Sequence, residues 1–229
     1  MKQKGVLPVD NKIKIKAGLI IFDLDGTLID SSRDIAWAAN ETLKAMGYAP
    51  METPEIVAAI GWGVTMLLEQ LMPDSGPHAI AKARERFLDF YGGHLTVETT
   101  VYPGVMETVS HFAGLGKKMA VVTNKPEGLA RRALDELGLG GFFSMVVGGD
   151  TVGARKPAPA PLLKVMEGLA HAPSATVMVG DSPVDCEAGR KAGVSTIAVS
   201  YGFRPASELQ GAGCTAMVES FAGLREIIL

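Results

Sequence analysis

Cysteine, histidine and positive charge are all scarce in this chain, and each shortage removes a class of function. Only two cysteines, Cys186 and Cys214, occur in 229 residues. Two thiols make no disulfide framework, and so low a count fits a reducing compartment. Cys186, next to Asp185, reads as a small buried hydrophobe. The four histidines, His78, His94, His111 and His171, are too widely spaced for a zinc site. Lysine and arginine number 22 against 25 acidic residues, a net charge of −3. That balance excludes a basic field for nucleic acid or a membrane surface, so an anionic ligand must be held by local groups. Long apolar runs are absent too. The charge-free stretches between Glu55 and Glu69 and between Lys191 and Arg204 fall short of the ~18 residues a spanning helix needs, and both contain glycine. The run Ala17–Phe22 is too short for a signal-peptide core and meets Asp23. The expectation is a soluble cytoplasmic protein, without tandem repeats or low-complexity segments, for which a monomer or a homodimer fits equally.

What the chain does have is a set of short, doubly apolar runs. Gly18–Phe22, Lys118–Val122, Phe143–Val147, Ala175–Val179 and Val194–Val199 read as buried parallel strands. Helical patterns lie between them, among them 127–137 before Gly138 and 160–169. The alternation predicts an α/β protein with a Rossmann-like, doubly wound parallel sheet.

One interval breaks the alternation. From residue 31 to about residue 100 only helical patterns appear, over 32–46, 53–60, 64–71 and 78–90. Ser31, Ser32 and Thr53 suit N-caps, and the glycines that follow the helices suit C-caps. Such a block is far longer than the dozen or so residues a crossover needs. It therefore predicts an inserted, all-helical cap domain over 31–99, hinged at Asp30–Ser31 and Thr99–Pro103. The catalytic core would comprise 17–30 and 100–229, and residues 1–16 a polar, lysine-rich N-terminal extension for which disorder is the simplest expectation.

Polar residues gather where the strands end: Asp23-Leu-Asp25-Gly26-Thr27, then Thr123-Asn124-Lys125, Lys156-Pro157, and Gly180-Asp181 with Asp185. Ligands of open α/β sheets bind beyond the carboxyl ends of the strands, so these segments should converge. Asp23 and Asp25 repel each other unless a cation neutralises them, and Mg²⁺ suits oxygen donors. Asp181 offers a third carboxylate and Lys156 a positive charge. Thr123 and Asn124 can donate to phosphoryl oxygens, and the Gly26–Thr27 turn can add backbone amides. Together they make a phosphoryl-transfer site in which Asp23 attacks phosphorus and Asp25 moves the proton.

With these residues in this order, the sequence resembles the haloacid dehalogenase superfamily over nearly the whole chain after Gly18. Within it the sequence is similar to the phosphoglycolate phosphatases in the stretches Phe22–Ser31, Ile60–Gly63, Tyr102–Gly104, Val122–Pro126, Gly148–Asp150 and Tyr201–Gly202. The resemblance implies a nucleophile at Asp23 and an acid/base at Asp25. It implies Mg²⁺ held by Asp23, the backbone carbonyl of Asp25 and Asp181, with Asp185 behind them, and a small phosphorylated metabolite, 2-phosphoglycolate, as substrate. In the cap, Gly61-Trp62-Gly63 fits a specificity loop or a helix–helix turn with Trp62 in the core. Arg33 fits either a contact to a substrate carboxylate or an exposed helix arginine. Lys44 and Lys82 read as solvated.

Other readings stay open at this level. A pyrophosphatase, a nucleotidase, a sugar-phosphate mutase or a phosphonatase would share the fold. Dehalogenation needs no metal, and the Asp25–Asp181 pair argues against it. A receiver-type signalling domain also holds phosphate on an aspartate, but a built-in acid/base at Asp25 would empty that state quickly.

Overall fold

The computed structural model describes residues 13–229. The chain opens with β1 (Leu19–Phe22), β2 (Ile29–Asp30), α1 (Ser32–Ala45), α2 (Thr53–Ala58), α3 (Val64–Leu71) and α4 (Pro77–Gly93). It continues through β3 (Thr100–Val101), α5 (Val105–Gly114), β4 (Lys118–Val122), α6 (Glu127–Glu136), β5 (Met145–Val147) and α7 (Ala160–Gly168). The last elements are β6 (Thr176–Gly180), α8 (Pro183–Ala192), β7 (Ser195–Val199), α9 (Ala206–Gly211), β8 (Ala216–Val218) and α10 (Leu224–Ile227).

Six strands form one parallel sheet in the order β5-β4-β1-β6-β7-β8. The sheet is covered on both faces, which is why its strands are apolar at every position rather than at every other one. Along β1 the alternation sorts residues by face: Ile20 and Phe22 enter one buried cluster, Leu19 and Ile21 the other. All four are fully buried, and each contributes roughly 1.5–3 kcal/mol by leaving water. That central strand carries Asp23 at its carboxyl end.

Between β2 and β3 the chain is helical, as the sequence predicts, and α1–α4 share a buried cluster with one face of the sheet. The two predicted hinge segments are themselves paired. Ile29 and Asp30 form an antiparallel ribbon with Val101 and Thr100. The buried Asp34 on α1 accepts the Glu98 and Thr99 amides at 2.8–3.0 Å and the Thr99 hydroxyl at 2.6 Å. One side chain thus fastens the start of the helical insertion to its end.

Three sequence expectations are revised. Cys186 and Cys214 are bonded as a disulfide, with Cα atoms 5.2 Å apart and a sequence separation of 28. Cys186 is buried as expected, but α8 and the lead-in to β8 meet across β7, a proximity that a count of two cysteines cannot reveal. In place of a disordered run up to Lys16, Ile15 is buried and pairs with Ile228, donating to Ile227 O at 2.8 Å. Its apolar side chain docks on the C-terminal segment. The rest of the predicted extension, residues 1–12, lies outside the described residues. Thr53 does not cap α2; Glu52 does, in a reciprocal capping box with Glu55. No helix among the described residues is long and apolar enough to cross a membrane.

Candidate active site

Asp23 prolongs the ladder of β1 by one residue, donating its amide to Val179 O at 2.9 Å. The backbone then folds back on itself. Gly26 adopts φ +85°, its amide donates to Ile29 O at 2.9 Å, and Leu28 N donates to Leu24 O at 2.9 Å. A side chain at Gly26 would collide with the Asp181 carboxylate, so glycine is required for both the turn and the closeness of these two segments. Asp181 follows β6 on the neighbouring strand. Thr123 prolongs β4 in the same manner, donating to Val147 O at 3.0 Å. Lys156 comes from the loop between β5 and α7.

These strand ends meet. Lys156 Nζ lies 2.8 Å from Asp23 Oδ1 and 2.7 Å from Asp185 Oδ1. Asp185 also closes the N-terminal capping box of α8, where its Oδ2 accepts the Ser182 hydroxyl at 2.8 Å and amide at 3.1 Å. Asp181 Oδ2 accepts the Phe203 amide at 2.8 Å, and its Oδ1 accepts the Thr27 hydroxyl at 3.3 Å. Oxygens of Asp23, Asp181 and Asp185 all lie within 4.8 Å of one another, and all three residues are buried. The Asp25 carboxylate is not in that group; it meets Ser31 and Lys125 and lines a cavity.

Burial and crowding dominate the electrostatics. The Asp23 carboxyl is pushed up to about 7, by burial and then by Asp185, against the pull of Lys156. Asp181 is raised well above the carboxylate range by burial, Asp185 and Asp23. Burial works to lower Lys156, but Asp185 and Asp23 more than offset it and hold the ammonium charged. Three carboxylates face one ammonium here, so two negative charges are unbalanced, and one divalent cation supplies that charge. The donors are hard carboxylate oxygens, the set that a Mg²⁺-like ion takes. The residues present therefore fit a divalent ion between Asp23, Asp181 and Asp185.

A cavity of about 530 Å³, including its open mouth, lies between the strand ends and the helical insertion. Asp23, Asp25, Thr123 and Asn124 line its floor, and Gly61 and Gly63 its roof. Two further residues bear on Asp25. Ser31, expected to cap α1, makes no cap hydrogen bond; its hydroxyl donates to Asp25 Oδ1 at 2.6 Å. Lys125 Nζ is paired with the same oxygen. Sequence reasoning placed Lys125 at a strand end without giving it a role. Its one available signal was its position directly after Thr123-Asn124, where β4 opens onto the site.

The remaining predicted residues fall in different places. Asn124 donates to Gly61 O at 2.8 Å and Lys156 O at 3.0 Å, so its amide hydrogens hold the two walls together rather than point at a ligand. In the turn after Asp23, the amides of Leu24, Gly26 and Thr27 donate to Asp23 Oδ1, Ile29 O and Leu24 O. Gly26 and Thr27 thus serve the Asp181 side of the site. Trp62 is 39% exposed, outside the core and not among the cavity-lining residues. Arg33 stands on the surface, 3.2 Å from Glu98.

The family profile described as haloacid dehalogenase-like hydrolase matches residues 20–199. A phosphoglycolate phosphatase from Aquifex aeolicus is 41% identical over 189 residues, covering 81% of this chain and 85% of the relative. One from Chromobacterium violaceum is 38% identical over 215 residues, covering 91% and 95%. Among solved structures, a predicted phosphoglycolate phosphatase from Haemophilus somnus superposes with a TM-score of 0.87 at 28% identity, covering 92% of this chain and 97% of that one.

Proposed function

The chain belongs to the haloacid dehalogenase-like hydrolase family, and on that premise we propose that it is a Mg²⁺-dependent phosphatase of a small phosphomonoester, 2-phosphoglycolate, working through an aspartyl-phosphate on Asp23. One observation carries the reading. Asp23 is held by Lys156 at 2.8 Å within a carboxylate cluster, while Asp25, two residues on, lines the same cavity outside that cluster.

The residues divide the work as follows. Lys156 fixes Asp23 Oδ1, so the other carboxylate oxygen is the one presented to phosphorus. As Asp23 forms the acyl-phosphate bond and the ester bond breaks, Asp25 gives its proton to the departing alkoxide. Asp25 then takes a proton from the water that attacks the phosphorus, and Asp23 is released as carboxylate. Ser31 orients Asp25 for both transfers, and Thr123 borders the phosphoryl position. Asp23, Asp181 and Asp185 would hold the ion, with the Asp25 carbonyl as the further donor that the family implies. When bound, it supplies charge neutralisation to the carboxylates and to the phosphoryl oxygens. The helical insertion, read as a cap domain, would exclude water from the cavity.

The cavity also bears on the rivals. Its insertion side is built mostly from Ile35, Ile60, Val64, Leu67 and Phe87, with the Tyr91 hydroxyl as its one hydrogen-bonding side chain, too few partners for the several hydroxyls of a sugar or nucleoside. Lys44 pairs with Glu41 on the surface and Lys82 is exposed, so neither supplies the amine a Schiff-base phosphonatase needs. The test is turnover of a phosphoester panel with Mg²⁺, using Asp23→Asn as the control. Release of phosphate from 2-phosphoglycolate by the wild type alone supports the proposal. A wild type inert on the whole panel, or an active Asp23→Asn, refutes it.

A further inference from the structure

A buried ammonium and an unpartnered phenol line the same catalytic cavity. Lys125 is 6% exposed, and its Nζ lies 4.9 Å from the centre of the Tyr91 ring while pairing with Asp25. Tyr91 sits near the end of α4 and is 2% exposed; its buried hydroxyl makes no hydrogen bond of full geometry, and Lys125 is the polar group beside it. A buried hydroxyl left unsatisfied costs about 1–3 kcal/mol, so a polar group that completes it is favoured. Both residues line the cavity, and Lys125 is the one cationic side chain among the lining residues. An ammonium carries three N–H donors, and Asp25 occupies one of them.

Position identifies the ligand group. Asp25 is the carboxylate that meets the leaving oxygen, and Lys125 stands against that same carboxylate. A substituent on the carbon bearing the leaving oxygen therefore arrives beside Lys125 and Tyr91. A carboxylate there would accept from both, as charge-assisted pairing favours. A neutral alkyl group would leave the Tyr91 hydroxyl unsatisfied. We propose that Lys125 and Tyr91 form an anion-reading subsite that selects phosphomonoesters whose leaving group carries a carboxylate next to the ester oxygen. This rests on the phosphatase reading above and adds to it the residues that choose the substrate. The ammonium is held charged: burial works to lower it, but pairing with Asp25 offsets that.

The test compares two esters of similar size, 2-phosphoglycolate and ethyl phosphate, with the full-length, Mg²⁺-loaded enzyme. In Lys125→Met, kcat/KM for 2-phosphoglycolate should fall roughly 10–100-fold further than for ethyl phosphate. In Tyr91→Phe, which keeps the ring and its packing, the preference should narrow by about 5–10-fold, with the loss in KM. Glycolate should inhibit the wild type competitively and either variant less. If Lys125→Met fails to fold, Tyr91→Phe carries the test. An unchanged preference between the esters in either folded variant overturns the subsite while leaving the phosphatase reading standing. A wild type that hydrolyses neither ester sinks the phosphatase reading and the subsite with it.

Discussion

Stripping divalent cations with EDTA and raising the pH from about 5 to about 8 should progressively destabilise the chain. The cause is Asp23, whose carboxyl is pushed from 3.8 to about 7 because burial and Asp185 together outweigh Lys156. Between those values the folded chain keeps a proton that the unfolded chain has released. Stability is therefore fully present below about pH 4 and falls as the pH climbs through about 7. At about 1.4 kcal/mol per tenfold change, the gap corresponds to about 4 kcal/mol, an upper bound because the site relaxes. Asp181 is raised as well and adds in the same direction. Between about pH 5 and about pH 8, about two of the roughly three decades in that gap are crossed, a fall of roughly 3 kcal/mol, and with a urea slope of ~3 kcal/mol per molar the unfolding midpoint moves down by about 1 M. A divalent cation at ~100 times its dissociation constant returns about 2.7 kcal/mol. It acts most strongly at high pH, where the carboxylates are free to bind it, so Mg²⁺ should flatten the profile. A metal-free midpoint that stays level or rises over this pH range would refute the reasoning, as would a midpoint at the upper end indifferent to Mg²⁺.

Three substitutions probe the rest of the frame. Lys156→Met leaves Asp23 and Asp185 buried without the ammonium that now stands 2.7–2.8 Å from each; a loss of about 3–5 kcal/mol should appear in urea unfolding at neutral pH. Gly202→Ala places a methyl group against Asp181 and the Gly26 carbonyl, so calorimetric titration should show Mg²⁺ affinity reduced roughly 10–100-fold. Asp34→Asn weakens the buried acceptor for Glu98 and Thr99; thermal unfolding should report a cost of about 1–3 kcal/mol, with faster hydrogen exchange at 98–101.

The parts of the fold that were legible are those written in local composition. β1, β4, β6 and β7 are apolar at nearly every position because both of their faces are covered, and the five predicted runs each overlap an observed strand, with β6 reaching one residue further, to Gly180. β8 escaped notice because three residues at a sheet edge carry no period. The β2–β3 ribbon escaped because two residues a side are defined only by their partner. The site divides along the same line. Asp23, Asp25 and Asp181 follow strand ends and Lys156 lies in the loop after β5, places where chain order alone forecasts convergence. Ser31 and Lys125 could not be read in this way. A serine before a helix looks like a cap, and a lysine after a strand looks solvated; the side chain's direction, which decides the matter, depends on the turn that brings Asp25 around. The disulfide was hidden for a similar reason, since its proximity arises from the crossover through β7.

The central claim is that Asp23 carries the phosphoryl group. An acid quench of the Mg²⁺-loaded enzyme during turnover of radiolabelled 2-phosphoglycolate, followed by peptide mapping, tests it most directly. The account predicts label on the peptide containing Asp23, released by mild base as an acyl-phosphate, and absent from Asp23→Asn. Label on another residue, or turnover that persists in Asp23→Asn, would contradict it.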